Sequence, residues 1–257
     1  MYFPVQASRV QAQYPVTRIT ESRFREVETP GGKWWRSASD GPAVRRWVLR
    51  FEDLTDGEAE ALVTCYEACA GGWRTFVFAD PAGNLLRWSE DLEAADWGKD
   101  AGLAVTRSGG AAERPAEFQV VNGSAAAAKI WQELDLPPGL AVCVSCEVWG
   151  EGVTLRAPGG AARGVAASGE WTKAFVTGES SGGVQRVELE IPAGATAFVR
   201  RMQAETQLAP SEYEGTFETG GIHVKTRFAE DGLQLVAVAP DRHRAQVILE
   251  SAMENAG

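Results

Sequence analysis

Histidine is almost absent from this 257-residue chain: His223 and His243 are the only two. A histidine-based catalytic site would have to be built from the stretch after residue 222, and no G-x-S-x-G elbow or other nucleophile context accompanies either residue. Both are therefore expected as solvated or hydrogen-bonded surface histidines. Cysteine is nearly as scarce, with four residues, too few for a disulfide-dense secreted scaffold, so reduced thiols are the expectation. No apolar run approaches the ~20 residues of a membrane-spanning helix. The opening Met1-Tyr2-Phe3-Pro4-Val5-Gln6 lacks the basic-then-apolar order of a secretory leader, which makes a soluble chain the expectation. Positive charge is also short, 25 Lys and Arg against 35 Asp and Glu, for a net charge of −10. A phosphate backbone would be repelled, so no sequence-specific nucleic-acid binding is expected.

What is present is turn-forming and apolar. The 28 Gly and 12 Pro punctuate short segments, and 44% of residues are hydrophobic, which reads as a folded, mainly β chain. One helix stands out over 55–70. Thr55-Asp56-Gly57-Glu58 is a capping-box pattern; Ala59, Leu62, Val63, Tyr66 and Cys69 share one arc, and Gly71-Gly72 supplies a left-handed stop. Alternating runs flank it, Trp47 to Phe51 before and Trp73 to Phe78 after. At the C-terminal end Ile222–Phe228 and Leu233–Val238 read as a pair divided by a Glu230-Asp231-Gly232 hairpin turn, with Ala245–Glu250 closing the sheet.

Between these parts the composition changes. Residues 1–84 carry 10 basic and 11 acidic groups, 85–212 carry 11 and 17, and 213–257 carry 4 and 7, so the middle segment is the acidic one. It reads as eight short strands near 103–106, 117–121, 128–135, 140–149, 153–157, 170–177, 184–190 and 196–205, the pattern of a two-sheet sandwich. The strands after 213 are too few to form a domain alone. The expected architecture is a discontinuous β-rich domain of residues 1–84 and 213–257 with one helix, carrying an inserted jelly-roll-like β-sandwich of residues 85–212.

The stretch Trp47-Val48-Leu49-Arg50-Phe51-Glu52-Asp53-Leu54-Thr55, the acidic helix, and Gly71-Gly72-Trp73-Arg74-Thr75-Phe76-Val77-Phe78-Ala79-Asp80-Pro81 resemble the minor and distal tail proteins of long-tailed phages and gene-transfer particles. Arg227-Phe228-Ala229-Glu230-Asp231-Gly232-Leu233 is similar to the closing pattern of that family. The resemblance covers about half the chain and implies a structural subunit of the virion tail tip, made in the host cytoplasm. Its implied partners are copies of itself in a ring of six, with three as the fallback, the tail tube protein, and tail hub or baseplate proteins. The acidic balance suits a conduit through which DNA slides without sticking. The expected structural core of the whole chain, the insert included, is Trp47, Phe51, Leu62, Tyr66, Trp73, Phe76, Phe78, Trp97 and Phe228.

The insert carries a second resemblance. Asn84-Leu85-Leu86-Arg87-Trp88-Ser89-Glu90-Asp91-Leu92 to Trp97, and Arg201-Met202-Gln203-Ala204-Glu205 to Ser211-Glu212-Tyr213, look like the opening and closing of carbohydrate-binding jelly-roll modules appended to phage tail and fibre proteins. This implies a host-surface glycan as a partner, with Trp88, Trp131, Trp149 and Trp171 as the candidate stacking residues, and it leaves open a structural Ca²⁺ in an acidic pocket. No other cofactor is expected.

Other chemistry meets simpler readings. Cys143 and Cys146 form a C-x-x-C and Cys65 and Cys69 sit four apart on a helix. Positions three apart on a strand point to opposite faces, so core thiols are expected rather than a zinc site. Glu188 with Glu190 would suit glycoside hydrolysis, yet such pairs are common in an acidic sandwich. Asn122-Gly123-Ser124 reads as a β-turn. The leading expectation is a non-enzymatic tail-ring adaptor with an outward-facing sandwich; the alternatives are a receptor-recognition adhesin and, behind it, a glycan hydrolase.

Overall fold

A computed structural model describes residues 1–21, 24–38, 43–109 and 115–252. The chain is mainly β with several antiparallel sheets and, among the described residues, one α-helix. Its elements in order are β1 (Thr17–Glu21), β2 (Phe24–Glu28), β3 (Trp34–Ala38), β4 (Val44–Leu54), α1 (Asp56–Ala68), β5 (Phe76–Ala79), β6 (Gly98–Lys99), β7 (Leu103–Arg107), β8 (Glu117–Asn122) and β9 (Ala128–Leu136). There follow β10 (Ala141–Gly150), β11 (Val153–Arg156), β12 (Ala162–Val165), β13 (Ser168–Glu179), β14 (Gly183–Ile191), β15 (Thr196–Glu205), β16 (Ile222–Phe228), β17 (Gln234–Ala239) and β18 (Arg242–Ala252).

A six-stranded sheet runs β1-β4-β18-β16-β5, with β17 also paired to β18, so it draws on strands from both ends of the chain. Alternation along β4 puts Trp47, Leu49 and Phe51 on one face, and β18 sets Leu249, Val247 and Ala245 directly opposite them. These residues, with Phe3, Phe76, Phe78 and Phe228, form one buried cluster. The helix adds Leu62, Cys65 and Cys69 to the same cluster, with Tyr66 packed half-buried against it. Its start is fixed by the capping box: Glu58 N donates to Thr55 Oγ1 at 3.3 Å and Thr55 N to Glu58 Oε2 at 2.9 Å.

Three sequence expectations change here. Trp73 is not core: it is 84% exposed, and the strand begins only at Phe76. Ala70 and Gly71 are left-handed, and Arg74 N closes back onto Cys69 O at 2.8 Å, so the chain turns where Trp73 stands and aims it outward. Gly72 is pressed against β16, where a Cβ would lie 2.6 Å from the Phe228 carbonyl oxygen. β16 and β17 are not a hairpin, since both pair with β18, which lies at the sheet's centre rather than its edge. Gly232 lacks the positive φ of a tight hairpin turn, and Ala229 N donates instead to Ile248 O at 2.8 Å. His223 is not a surface residue; its ring packs 4.7 Å from that of Trp47. His243 does sit in a polar setting, with Nε2 2.6 Å from Asp56 Oδ1.

Two five-stranded sheets, β13-β10-β15-β8-β7 and β12-β11-β14-β9-β6, enclose a second core. Inward residues of β10 (Val142, Val144, Cys146, Val148) meet those of β14 and β9 (Val187, Leu189, Ile130, Leu134), with Trp97 at 4% exposure among them. Asn122 is buried, its amide donating to the carbonyls of Ala126, Ile191 and Pro192, while its side-chain oxygen accepts from Ser124 N.

The chain passes between the two cores twice, and the passes are bonded to each other. Gly221 N donates to Asn84 O at 2.8 Å, Leu85 N to Ala204 O at 2.7 Å, and Trp88 N to Phe217 O at 2.6 Å. The Asn84 side chain ties them further, donating to Met202 O and Glu214 O and accepting from Leu86 N and Ala204 N. β2 and β3 form a separate two-stranded arm in which Val27, Trp34 and Trp35 are exposed.

Candidate functional site

The outer face of the β13-β10-β15-β8-β7 sheet gathers groups that alternation sends away from the core. On β10 these are Cys143, Ser145, Glu147 and Trp149; the register places Phe198 of β15 opposite Trp149 and Lys173 of β13 opposite Glu147. The Trp149 and Phe198 rings stack with centroids 4.4 Å apart, and Trp171 lies 6.2 Å from Trp149. Trp149 and Phe175 remain 37% exposed. The result is an aromatic surface on a rigid sheet.

A register break beside it assembles the polar groups. Between the pairs Ser145–Gln203 and Glu147–Arg200, β15 has one residue more than β10, and Arg201 takes a left-handed φ of 55°. Consecutive strand residues normally point to opposite faces. The bulge instead lets both arginines reach one carboxylate: Arg200 Nε is 2.6 Å from Glu147 Oε2, and Arg201 Nη1 is 2.7 Å from Oε1. Arg200 also bonds Glu117 at 2.7 Å and lies 4.0 Å over the Trp171 ring. Burial alone would raise the Glu147 carboxyl, but the hydrogen bonds and charges of the two guanidinium groups outweigh it and hold it below the usual carboxylate range. Glu147 is thus an ionised acceptor, unsuited to donate a proton as a general acid at neutral pH.

Next to this network opens a cavity of about 980 Å³, lined by Ser145, Glu147, Lys173, Arg201, Gln203 and Tyr213 among others. Its far wall is the returning chain. Lys173 Nζ donates to Ser211 O at 3.2 Å, and Gln203 Oε1 accepts from Glu214 N at 2.8 Å. Tyr213 bonds Ser89 Oγ at 3.0 Å, and burial pushes its hydroxyl well above the ordinary tyrosine value.

Of the four tryptophans singled out in the sequence, the structure brings Trp149 and Trp171 together and leaves the other two elsewhere. Trp88 is half-buried, edge-on to Phe217, and its carbonyl accepts from Trp97 Nε1 at 3.1 Å. Trp131 lies on the opposite sheet, with the Arg186 guanidinium 4.6 Å from its ring and the Gly98 backbone pressed against it. Sequence reasoning missed Phe198, Arg200, Glu147 and Lys173; the Arg200-Arg201 pair is visible in the sequence, but the bulge that makes both useful is not.

The other chemical candidates are accounted for locally. Glu188 bonds Lys129 at 2.7 Å and Glu190 bonds Arg156 at 3.0 Å. All four cysteines are free and buried, and burial pushes the Cys65 and Cys146 thiols up to about 12. Among the described residues, no group of three or more His, Cys, Asp or Glu is placed to hold a metal ion. No described helix is long and apolar enough to cross a membrane.

No protein-family model and no curated protein matches the chain. Among solved structures it is similar to the CBM22-1 xylan-binding domain of Xyn10C from Paenibacillus barcinonensis, at 15% identity over 51% of this chain and 100% of that one, with a TM-score of 0.37. It is also similar to TmCBM61 in complex with β-1,4-galactotriose, at 16% identity over 48% of this chain and 99% of that one, TM-score 0.33. A third is the enzymatically active domain of tailspike protein 4 from bacteriophage CBA120, at 9% identity over 50% of this chain and 22% of that one, TM-score 0.36. Similarity at this level carries no ligand across to this chain.

Proposed function

We propose that this chain is a non-enzymatic, glycan-binding structural subunit, whose sandwich holds an oligosaccharide on the outer face of the β13-β10-β15-β8-β7 sheet. The observation that carries this reading is the convergence of Trp149, Trp171 and Phe198 with the Glu117–Arg200–Glu147–Arg201 network. Sugar rings present C–H faces that stack on aromatics and hydroxyl edges that need fixed donors and acceptors, and both lie here side by side on strands rather than loops. The reading is tested on a glycan array followed by calorimetry on any hit. Trp149→Ala should weaken that hit by about tenfold or more, equivalent to about 1.4 kcal/mol. An array with no hit, or a hit indifferent to Trp149→Ala and Trp171→Ala, would remove it.

A second observation favours anchoring in a larger assembly. No described side chain of the β2–β3 arm belongs to either core cluster, and Val27, Trp34 and Trp35 stand at 58%, 61% and 69% exposure. A lone two-stranded ribbon is marginal in water, and exposed tryptophans on it suit a protein contact. Together with the resemblance of the sequence around Trp47 and Phe76 to distal tail proteins, this supports a tail-tip subunit at the virion. Its partners on that reading are further copies in a ring, the tail tube and the hub, with the sandwich turned outward to a cell-surface glycan.

A further inference from the structure

The charges around the large cavity are not equally available to a ligand. Glu147 is occupied on both oxygens by Arg200 and Arg201. Glu90 is buried at 7% exposure and accepts from Ala116 N at 3.1 Å. The cations differ. Lys173 is exposed, makes one hydrogen bond to a neutral carbonyl, and forms no ion pair among the described residues. Arg201 uses Nη1 on a carboxylate it shares with Arg200 while its side chain stays 40% exposed; its Nε is buried and has no partner among the described residues. Among the described lining residues, Glu212 is the exposed acid that could oppose them.

We infer that the cavity receives a sugar carboxylate, so that the preferred glycan contains an acidic residue such as a uronate, seated between Lys173 and Arg201 beside the aromatic face. This rests on the glycan-binding reading and specifies its ligand class. Charge-assisted hydrogen bonds from ammonium and guanidinium to a carboxylate are about twice as strong as neutral ones, which favours the acidic sugar over its neutral isostere. The chain's net charge of −10 works against a polyanion at long range. Ions at physiological strength screen that repulsion beyond ~8 Å, whereas the two cations act at contact.

The test is calorimetry of the full chain with oligogalacturonate, oligoguluronate, hyaluronan oligosaccharides and oligosialate, each beside its carboxyl-reduced neutral counterpart. At least one acidic member should bind about tenfold or more tighter than its reduced partner. That preference should shrink in Lys173→Gln and widen in Glu212→Gln, both exposed positions where loss of folding is not expected. Equal binding of acidic and reduced members, or a preference unmoved by the two substitutions, overturns the acidic specificity while leaving glycan binding standing. Binding of no member, acidic or reduced, overturns both.

Discussion

His223 shows how one half-buried residue ties stability to pH. Burial lowers its pKa to about 4 from an ordinary 6.5; Asp80 pulls it up, and Arg45 and Arg18 push it further down. Between those two values the unfolded chain binds a proton that the folded chain refuses, so stability rises with pH through the window and is lost as pH falls from about 6.5 to 4. A shift of this size corresponds to on the order of 3 kcal/mol. Urea unfolding at pH 7, 5.5 and 4.5 should show that loss in the native chain, and His223→Gln should flatten this part of the slope. An identical slope in both proteins would place the acid sensitivity elsewhere. Nothing in the sequence around Ile222-His223-Val224 distinguished this histidine from His243. What separates them is the pairing partner: His223 lies opposite Phe78 and against Trp47, whereas His243 lies beside Asp56 at the helix start.

At the scale of elements, legibility followed burial. Among the eight insert strands, β8, β9, β11 and β14 alternate against a core and could be read from their own residues, whereas β10 is buried on both faces for most of its length and was readable as a continuous apolar run. β1, Thr-Arg-Ile-Thr-Glu, is exposed along its whole length and left no such pattern; β6 has two residues, and β12 is a short edge strand. The helix was readable because its cap and its apolar arc agree. Trp73 was misread because a large aromatic next to Phe76 and Phe78 continues the strand pattern, while the turn that breaks it is set by Ala70 and Gly71. The two aromatics give a paired prediction. Phe76 is 1% exposed, with ring centroids 5.6 Å from Phe3 and 5.2 Å from Phe228, so Phe76→Ala should cost ~3–5 kcal/mol in denaturant unfolding. Trp73→Ala should stay within about 0.5 kcal/mol of the native chain. Comparable losses at both positions would contradict the outward turn. The candidate site was legible only as a set of tryptophans, because its polar half depends on a bulge between β10 and β15, and register across strands is not written in either strand alone.

For the whole molecule, the two buried clusters make a statement about independence. Among the described residues, the six-stranded sheet's cluster draws none from 85–212, so a chain in which that segment is replaced by a short Gly/Ser linker should keep a cooperative unfolding transition. On the tail-tip proposal it should also keep any ring seen by native mass spectrometry, alone or with a tube-end protein, while losing glycan binding; Trp34→Ser with Trp35→Ser should do the reverse. Rings that vanish with the sandwich and survive the arm substitutions would reassign the interface. The double passage between the cores also has a mechanical meaning. A tether of one strand lets its load swivel, but on the glycan-binding proposal a pull on a sugar at the sandwich would be divided between two crossings clamped together by Asn84. Those bonds share the force and resist torsion. On that proposal a tug at the aromatic face would reach the six-stranded sheet as a directed displacement, with its orientation preserved.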